Sequence, residues 1–119
     1  MKLYGIPNCS TVKKARTWLD EHGVAYEFHD FKKLGIDEPT LDHWLGQVAW
    51  EKLVNRAGMT WRGLTDAEKA AVQDNASAAA LMQAKTSVIK RPLITTKQQI
   101  ISIGFNEAEF KERYLNKHA

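Results

Sequence analysis

Residues 2–31 carry two short β-like stretches with one amphipathic helix between them, and this order restricts the fold more than any other feature of the chain. Lys2 to Ile6, KLYGI, reads as a strand closed by Pro7-Asn8. From Ser10 to about His22 the spacing is helical: Val12, Ala15 and Leu19 recur on one face, and Gly23 supplies the stop. Tyr26 to Phe31, YEFHDF, alternates aromatic and polar residues as a half-buried strand does. A strand, helix and strand of this length form a βαβ unit, which predicts that the two strands run parallel.

Downstream the pattern stays helical before it turns to strand. Asp37 is placed to cap a helix running to about Trp50, with Leu41, Trp44, Leu45 and Val48 on one side. A short helix follows around Glu51 to Arg56, stopped near Gly58. Thr65-Asp66-Ala67-Glu68 is a capping box for a helix over residues 66–73. Asn75 to Gln83, with Ala78 to Met82, is helical by propensity. Then Ser87-Val88-Ile89 and Leu93-Ile94-Thr95-Thr96 flank Lys90-Arg91-Pro92, and Ile100 to Ile103 is rich in β-branched residues. Lys97-Gln98 suits a tight hairpin turn, and Asn106 with Glu109 opens a last helix to about Leu115. The predicted order is β, α, β, a helical block over about residues 37–85, then β, β, α. Outside the block this α/β order is the thioredoxin-like arrangement. No repeat, low-complexity linker or long charge run divides the chain, so a single domain over residues 1–119 is expected.

With 119 residues the chain can build one real core but not two. Its 44% hydrophobic and 26% charged residues are ordinary for a globular chain, so a folded rather than a disordered chain is expected. The apolar runs are too short for a membrane span, and MKLYGIPNCS lacks the apolar centre of a signal peptide. A single cysteine excludes an intramolecular disulfide, so a reducing, cytoplasmic setting is expected. The net charge of +3 is spread along the chain; it fits an anionic small molecule better than direct nucleic-acid binding, which selects a dense basic stripe. His22, His29, His43 and His118 have no metal-ligand spacing, so no metal site is expected. His22 reads as a helix C-terminal residue, and His29 as strand structure. Trp18, Trp44, Trp50 and Trp61 sit at helical or near-helical positions and read as core.

Chemistry concentrates in GIPNCSTVKKAR, residues 5–16. Cys9 lies just before the first predicted helical turn, whose N–H groups lack partners. A thiol there, beside cations, ionises below its free pKa and becomes a nucleophile. Ser10 or Thr11 can cap the helix. If the helical register reaches back to Cys9, Lys13 stands one turn above it and Arg16 two turns above on the same side, while Lys14 points elsewhere. Basic residues in a first turn oppose the helix dipole, and an anion at the N-terminus would justify them. The competing reading is a small buried cysteine at a strand end with a solvated lysine face, since free cysteines are among the most buried residues.

GIPNCSTVKKARTWL at the start and SVIKRPLI near residue 90 resemble the arsenate reductase-like (ArsC/Spx) family, with the closest match in its YffB-like branch. FHDFKK and LVNRAGMTWRGL extend the resemblance over essentially the whole chain. The resemblance implies a thioredoxin-like fold with an inserted helical region and a redox-active Cys9. It also implies a cis bond before Pro92, facing that cysteine, and Arg91 as the group that binds an oxyanion or thiol substrate. By itself the Arg91-Pro92 bond is either a cis candidate or an ordinary trans proline before an edge strand. Three departures stand out. Gly5 occupies the place of a histidine in classical arsenate reductases. Of their three arginines, Arg91 matches one and Arg56 another, with a one-residue ambiguity against Asn55; the third would fall near Gly104, where no arginine stands. Val12 replaces the second cysteine of the CxxC switch found in many Spx regulators.

The resulting expectation is a monothiol oxidoreductase, a glutathione-dependent thiol/disulfide reductase with Cys9 as nucleophile. Lys13 and Arg91 are the expected receivers of the glutathione carboxylates, with Lys14 and Lys90 as second choices. Asn8, Ser10, Arg56 and Pro92 complete the expected binding set. No tightly bound cofactor is expected; glutathione acts as co-substrate, and glutathione or glutaredoxin must resolve the mixed disulfide, because the chain has no second cysteine. The alternative is an Spx-like regulatory protein that binds RNA polymerase. A true arsenate reductase, weakened by the missing arginine, and an inactive thioredoxin fold are further readings.

Overall fold

The computed structural model describes residues 1–115; His118 lies outside them. The chain falls into two compact units: residues 1–30 together with the chain from Arg91 onward, and residues 31–90.

The first unit is built on β1 (Lys2–Gly5), α1 (Ser10–Glu21) and β2 (Glu27–Asp30). β1 and β2 run parallel, from Lys2 opposite Glu27 to Gly5 opposite Asp30, as the intervening helix predicted. After the insertion come β3 (Leu93–Thr96), β4 (Gln99–Ile103) and α8 (Glu107–Phe110), which continues as a π-helical turn over Lys111–Leu115. β1 pairs antiparallel with β3, and β3 with β4, so the sheet order is β2-β1-β3-β4. Lys97 and Gln98 form the expected hairpin turn at φ 51° and 70°. These are the positive values a two-residue hairpin demands, here without the usual Asn-Gly.

α1 buries Val12, Ala15, Trp18 and Leu19 against Leu3 of β1 and Ile94 of β3, and Phe110 and Tyr114 complete this core. Phe110 meets Trp18, Phe105 and Tyr114 edge to face, with centroids 5.4, 4.8 and 5.0 Å away. The Tyr114 hydroxyl is hydrogen-bonded to Ser102 of β4. Asn106 caps the last helix, its Oδ1 accepting from the Glu109 N–H at 2.9 Å.

The second unit is a string of short helices: α2 (Phe31–Leu34), α3 (Glu38–Leu45), α4 (Trp50–Leu53), α5 (Met59–Arg62), α6 (Asp66–Ala70) and α7 (Asn75–Ala84), then a 3₁₀ turn over Thr86–Val88. Its buried side chains include Leu41, Trp44, Leu53, Val54, Ala78, Met82, Val88 and Ile89. Three caps set helix starts. Asp37 accepts from Thr40, Thr65 and Glu68 close a reciprocal box, and Asp74 does the same with Ser77. No helix among the described residues is long and apolar enough to cross a membrane.

The second unit, residues 31–90, contains all of these helices. Phe31, read as the end of the second strand, instead opens α2 and is buried. β1 ends at Gly5, opposite Asp30, and offers no further partner. The helix expected from Asp37 to Trp50 stops at Leu45 with Gly46 as its C-cap, and a new helix starts at Trp50. The helix expected over Glu51 to Arg56 ends at Leu53, because Val54 turns extended and pairs with Ile89. Gly58, read as a stop, is the N-cap of α5. α6 ends at Ala70 rather than residue 73. Trp18 and Trp44 are buried as expected, while Trp50 and Trp61 are half-buried. His22 caps the C-terminus of α1, its Nδ1 2.8 Å from the Trp18 carbonyl oxygen.

Candidate active site

β1 ends on Gly5, the Pro7-Asn8 turn reverses the chain, and Cys9 takes the N-cap position of α1 with extended backbone (φ −95°, ψ 125°). The cap is thus Cys9 itself rather than Ser10 or Thr11. Its carbonyl accepts the first helical hydrogen bond, from the Lys13 N–H at 2.9 Å. Cys9 is half-buried and packs against the core beneath α1. No acidic residue stands in the first turn, so the side chains of that turn leave the positive helix end uncompensated.

The chain re-enters this unit at Arg91, whose bond to Pro92 is cis. Pro92 is buried, and its carbonyl accepts from the Gly104 N–H at 2.8 Å, tying the loop to the end of β4. Arg91 reaches Cys9 from this loop. Burial pushes the Cys9 thiol up, but four attractions outweigh it: the Val12 N–H, the Arg91 side chain as donor, the Thr11 N–H and the Arg91 charge. The net effect holds the thiol below its ordinary pKa. A neutral thiol is only a weak hydrogen-bond acceptor. The ionised sulfur is the form these N–H groups and Arg91 favour.

The expected site residues separate into groups. Cys9, Arg91 and Pro92 share one unit, with Arg91 acting on the sulfur. Asn8 and Ser10 flank the thiol along the chain and are exposed. Lys13 is exposed one turn up α1, and Lys14 is exposed beside it. Arg16 does not face the thiol: its guanidinium lies 4.0 Å from the centre of the Phe28 ring, and its Nε donates to the Tyr26 hydroxyl at 3.0 Å. Phe28 of β2 and the preceding Tyr26 capture it, which spacing along α1 could not reveal. Arg56 lies in the second unit, exposed and 5.4 Å from the Trp50 ring centre. Sequence reasoning missed Val12 as a site residue, although the N–H three residues past an N-cap is the usual donor to the cap side chain. Among the described residues no three His, Cys, Asp or Glu side chains gather as metal ligands. A groove of about 590 Å³ between α3 and α7 carries Glu38 and Asp42 and no nucleophile.

The arginine that acts on the Cys9 sulfur precedes the cis proline that the resemblance implied. The model of the ArsC family matches residues 4–113. The chain belongs to the ArsC family. The solved structure of the YffB protein is 46% identical and matches with a TM-score of 0.87, covering 94% of this chain and 96% of that one. An uncharacterized protein of Haemophilus influenzae is 37% identical over 112 residues, 94% of this chain and 96% of its own. The global transcriptional regulator Spx of Listeria innocua is 25% identical over 112 residues, 92% of this chain and 82% of its own. The fold is the expected thioredoxin-like one with a helical insertion.

The structure gives reasons for two departures from the arsenate reductase pattern. A Cβ on Gly5 would lie 2.8 Å from Val12 Cγ2 and 3.2 Å from Cγ1, so no histidine fits there while Val12 holds its place. Gly104 has φ +88°, a conformation that would strain an arginine at that position.

Proposed function

We propose that the protein is a monothiol oxidoreductase that exchanges disulfides with glutathione through Cys9. The place of the Cys9 sulfur at the N-terminus of α1, with the Val12 and Thr11 N–H groups and the Arg91 side chain turned to it, carries this reading. The Cys9 thiolate attacks the glutathione sulfur of a mixed disulfide between glutathione and a substrate thiol. A mixed disulfide forms and the other sulfur leaves as a thiolate, so electrons balance without an added oxidant. A glutathione thiolate then attacks the glutathione sulfur of the adduct, releasing glutathione disulfide and restoring the Cys9 thiolate. With one cysteine in the chain, the resolving thiol comes from glutathione or a glutaredoxin. Arg91 and the exposed Lys13 are the cations assigned to the two glutathione carboxylates. A reducing cytoplasmic setting suits a thiol that must stay free between cycles.

Mass spectrometry after treatment with glutathione disulfide tests the reading. One glutathione adduct is expected, lost in Cys9→Ser. A Cys9 that stays unmodified, or alkylates no faster than free cysteine, refutes it. The likeness to Spx favours one second reading, a regulator that docks on RNA polymerase. Retention of polymerase by the Cys9→Ser protein in a pull-down would support it over thiol chemistry. Arsenate reduction is disfavoured by the lack of an arginine near Gly104.

A further inference from the structure

We infer that Gly5 is a positioning residue for the Cys9 sulfur, acting through Val12. This inference rests on the reading of Cys9 as the working thiol. Gly5 is the buried last residue of β1 and does not have a positive φ, so its backbone conformation does not call for glycine. Space does. A Cβ there would meet Val12 Cγ2 at 2.8 Å, Cγ1 at 3.2 Å and Cβ at 3.6 Å. The Val12 side chain is fully buried, and a valine in a helix has one strongly preferred rotamer. It cannot swing away from a new methyl group.

The isopropyl group of Val12 therefore crowds the space into which any other residue at position 5 would place its Cβ. This contact lets the first turn of α1 lie close on the end of β1. The same turn carries the Val12 and Thr11 N–H groups that favour the ionised sulfur. Lys13 N–H to the Cys9 carbonyl, at 2.9 Å, closes the turn as one body. A methyl on Gly5 must push that turn outward. Hydrogen bonds weaken steeply with distance and angle, so small displacements of the two donors count. Gly5 touches neither sulfur nor substrate; its effect passes through Val12.

The pH dependence of Cys9 alkylation tests this, because a merely structural role would not move it. Gly5→Ala is expected to shift the midpoint upward and slow alkylation several-fold at pH 7. Val12→Ala, placed in the Gly5→Ala protein, removes the clash and keeps the N–H at position 12. The double variant is expected to recover the parental midpoint. An unchanged midpoint in a folded Gly5→Ala protein overturns the inference. So does a midpoint in the double variant that remains as high as in Gly5→Ala. Should Gly5→Ala fail to fold, the double variant decides alone: the parental midpoint supports the inference, a raised one overturns it. A parental thiol with a low midpoint and no glutathione adduct would refute the glutathione reading and leave this inference standing. A normal adduct with an unmoved midpoint in Gly5→Ala would do the reverse.

Discussion

Tyr114→Phe deletes one oxygen from the core beneath α1 and should leave a pH-dependent signature. Tyr114 and Ser102 are 6% and 4% exposed, and their hydroxyls are hydrogen-bonded to each other. Without the tyrosine oxygen, the Ser102 hydroxyl stays buried and loses that bond. Leaving such a group unsatisfied costs about 1–3 kcal/mol. Ser102→Ala strands the tyrosine hydroxyl and should cost a similar amount. The double variant removes both groups, so its loss should be smaller than the sum of the single losses. Burial pushes the Tyr114 hydroxyl up to about 12, against the opposing pull of the Ser102 bond. In the unfolded chain it titrates at about 10. Between these values the unfolded state binds fewer protons, so stability falls as pH rises. The contribution is whole below about pH 10 and lost above about pH 12, roughly 3 kcal/mol in all. The other tyrosines and the lysines are common to both proteins and cancel in the difference. Urea denaturation of wild type and Tyr114→Phe from pH 8 to pH 11.5 reads it directly. The wild type should lead at pH 8, and the lead should shrink above pH 10. A difference that stays constant across the range, or a lead below about 0.5 kcal/mol at pH 8, refutes the reasoning.

Arg91→Met should raise the Cys9 pKa, because it removes both a donor and a positive charge from the ionised sulfur. Slower alkylation at pH 7 checks it, and Arg91→Lys should restore the charge but only part of the hydrogen bonding. Arg16→Ala should cost about 1–2 kcal/mol through its contacts with Phe28 and Tyr26. It should leave the alkylation profile of Cys9 unchanged; a shifted profile would place Arg16 at the thiol after all. Replacing Lys97-Gln98 by Asn-Gly should add about 1 kcal/mol, since both positions hold positive φ, and the urea midpoint measures it.

Local signals carried much of the fold. The spacing of Val12, Ala15 and Leu19 set the face of α1, and its place between two strands made β1 and β2 parallel. Asn106 and the Thr65 box marked helix starts because capping is decided within four residues. The helical insertion was less legible. Its breaks depend on partners distant in sequence: Val54 leaves its helix for Ile89, and the Asn55 N–H bonds the Val88 carbonyl at 2.7 Å. Apolar spacing that ran on through Val48 suggested a longer α3, but a half-buried turn satisfies the same pattern.

For the site, the sequence alone placed Cys9 at a helix start and supplied cations near it, because both follow from position along one short segment. Tertiary structure decided which neighbours act on the sulfur. Arg91 reaches the thiol from the loop before β3, while Arg16, on the thiol's own helix, turns to Phe28 of β2 and to Tyr26 just before it. Gly5 and Val12 lie seven residues apart and meet only because the turn folds α1 back onto β1. Helical periodicity tells which side chains share a face. Which charge a thiolate meets, and how closely a helix can approach a strand, depends on packing between elements that no local spacing records.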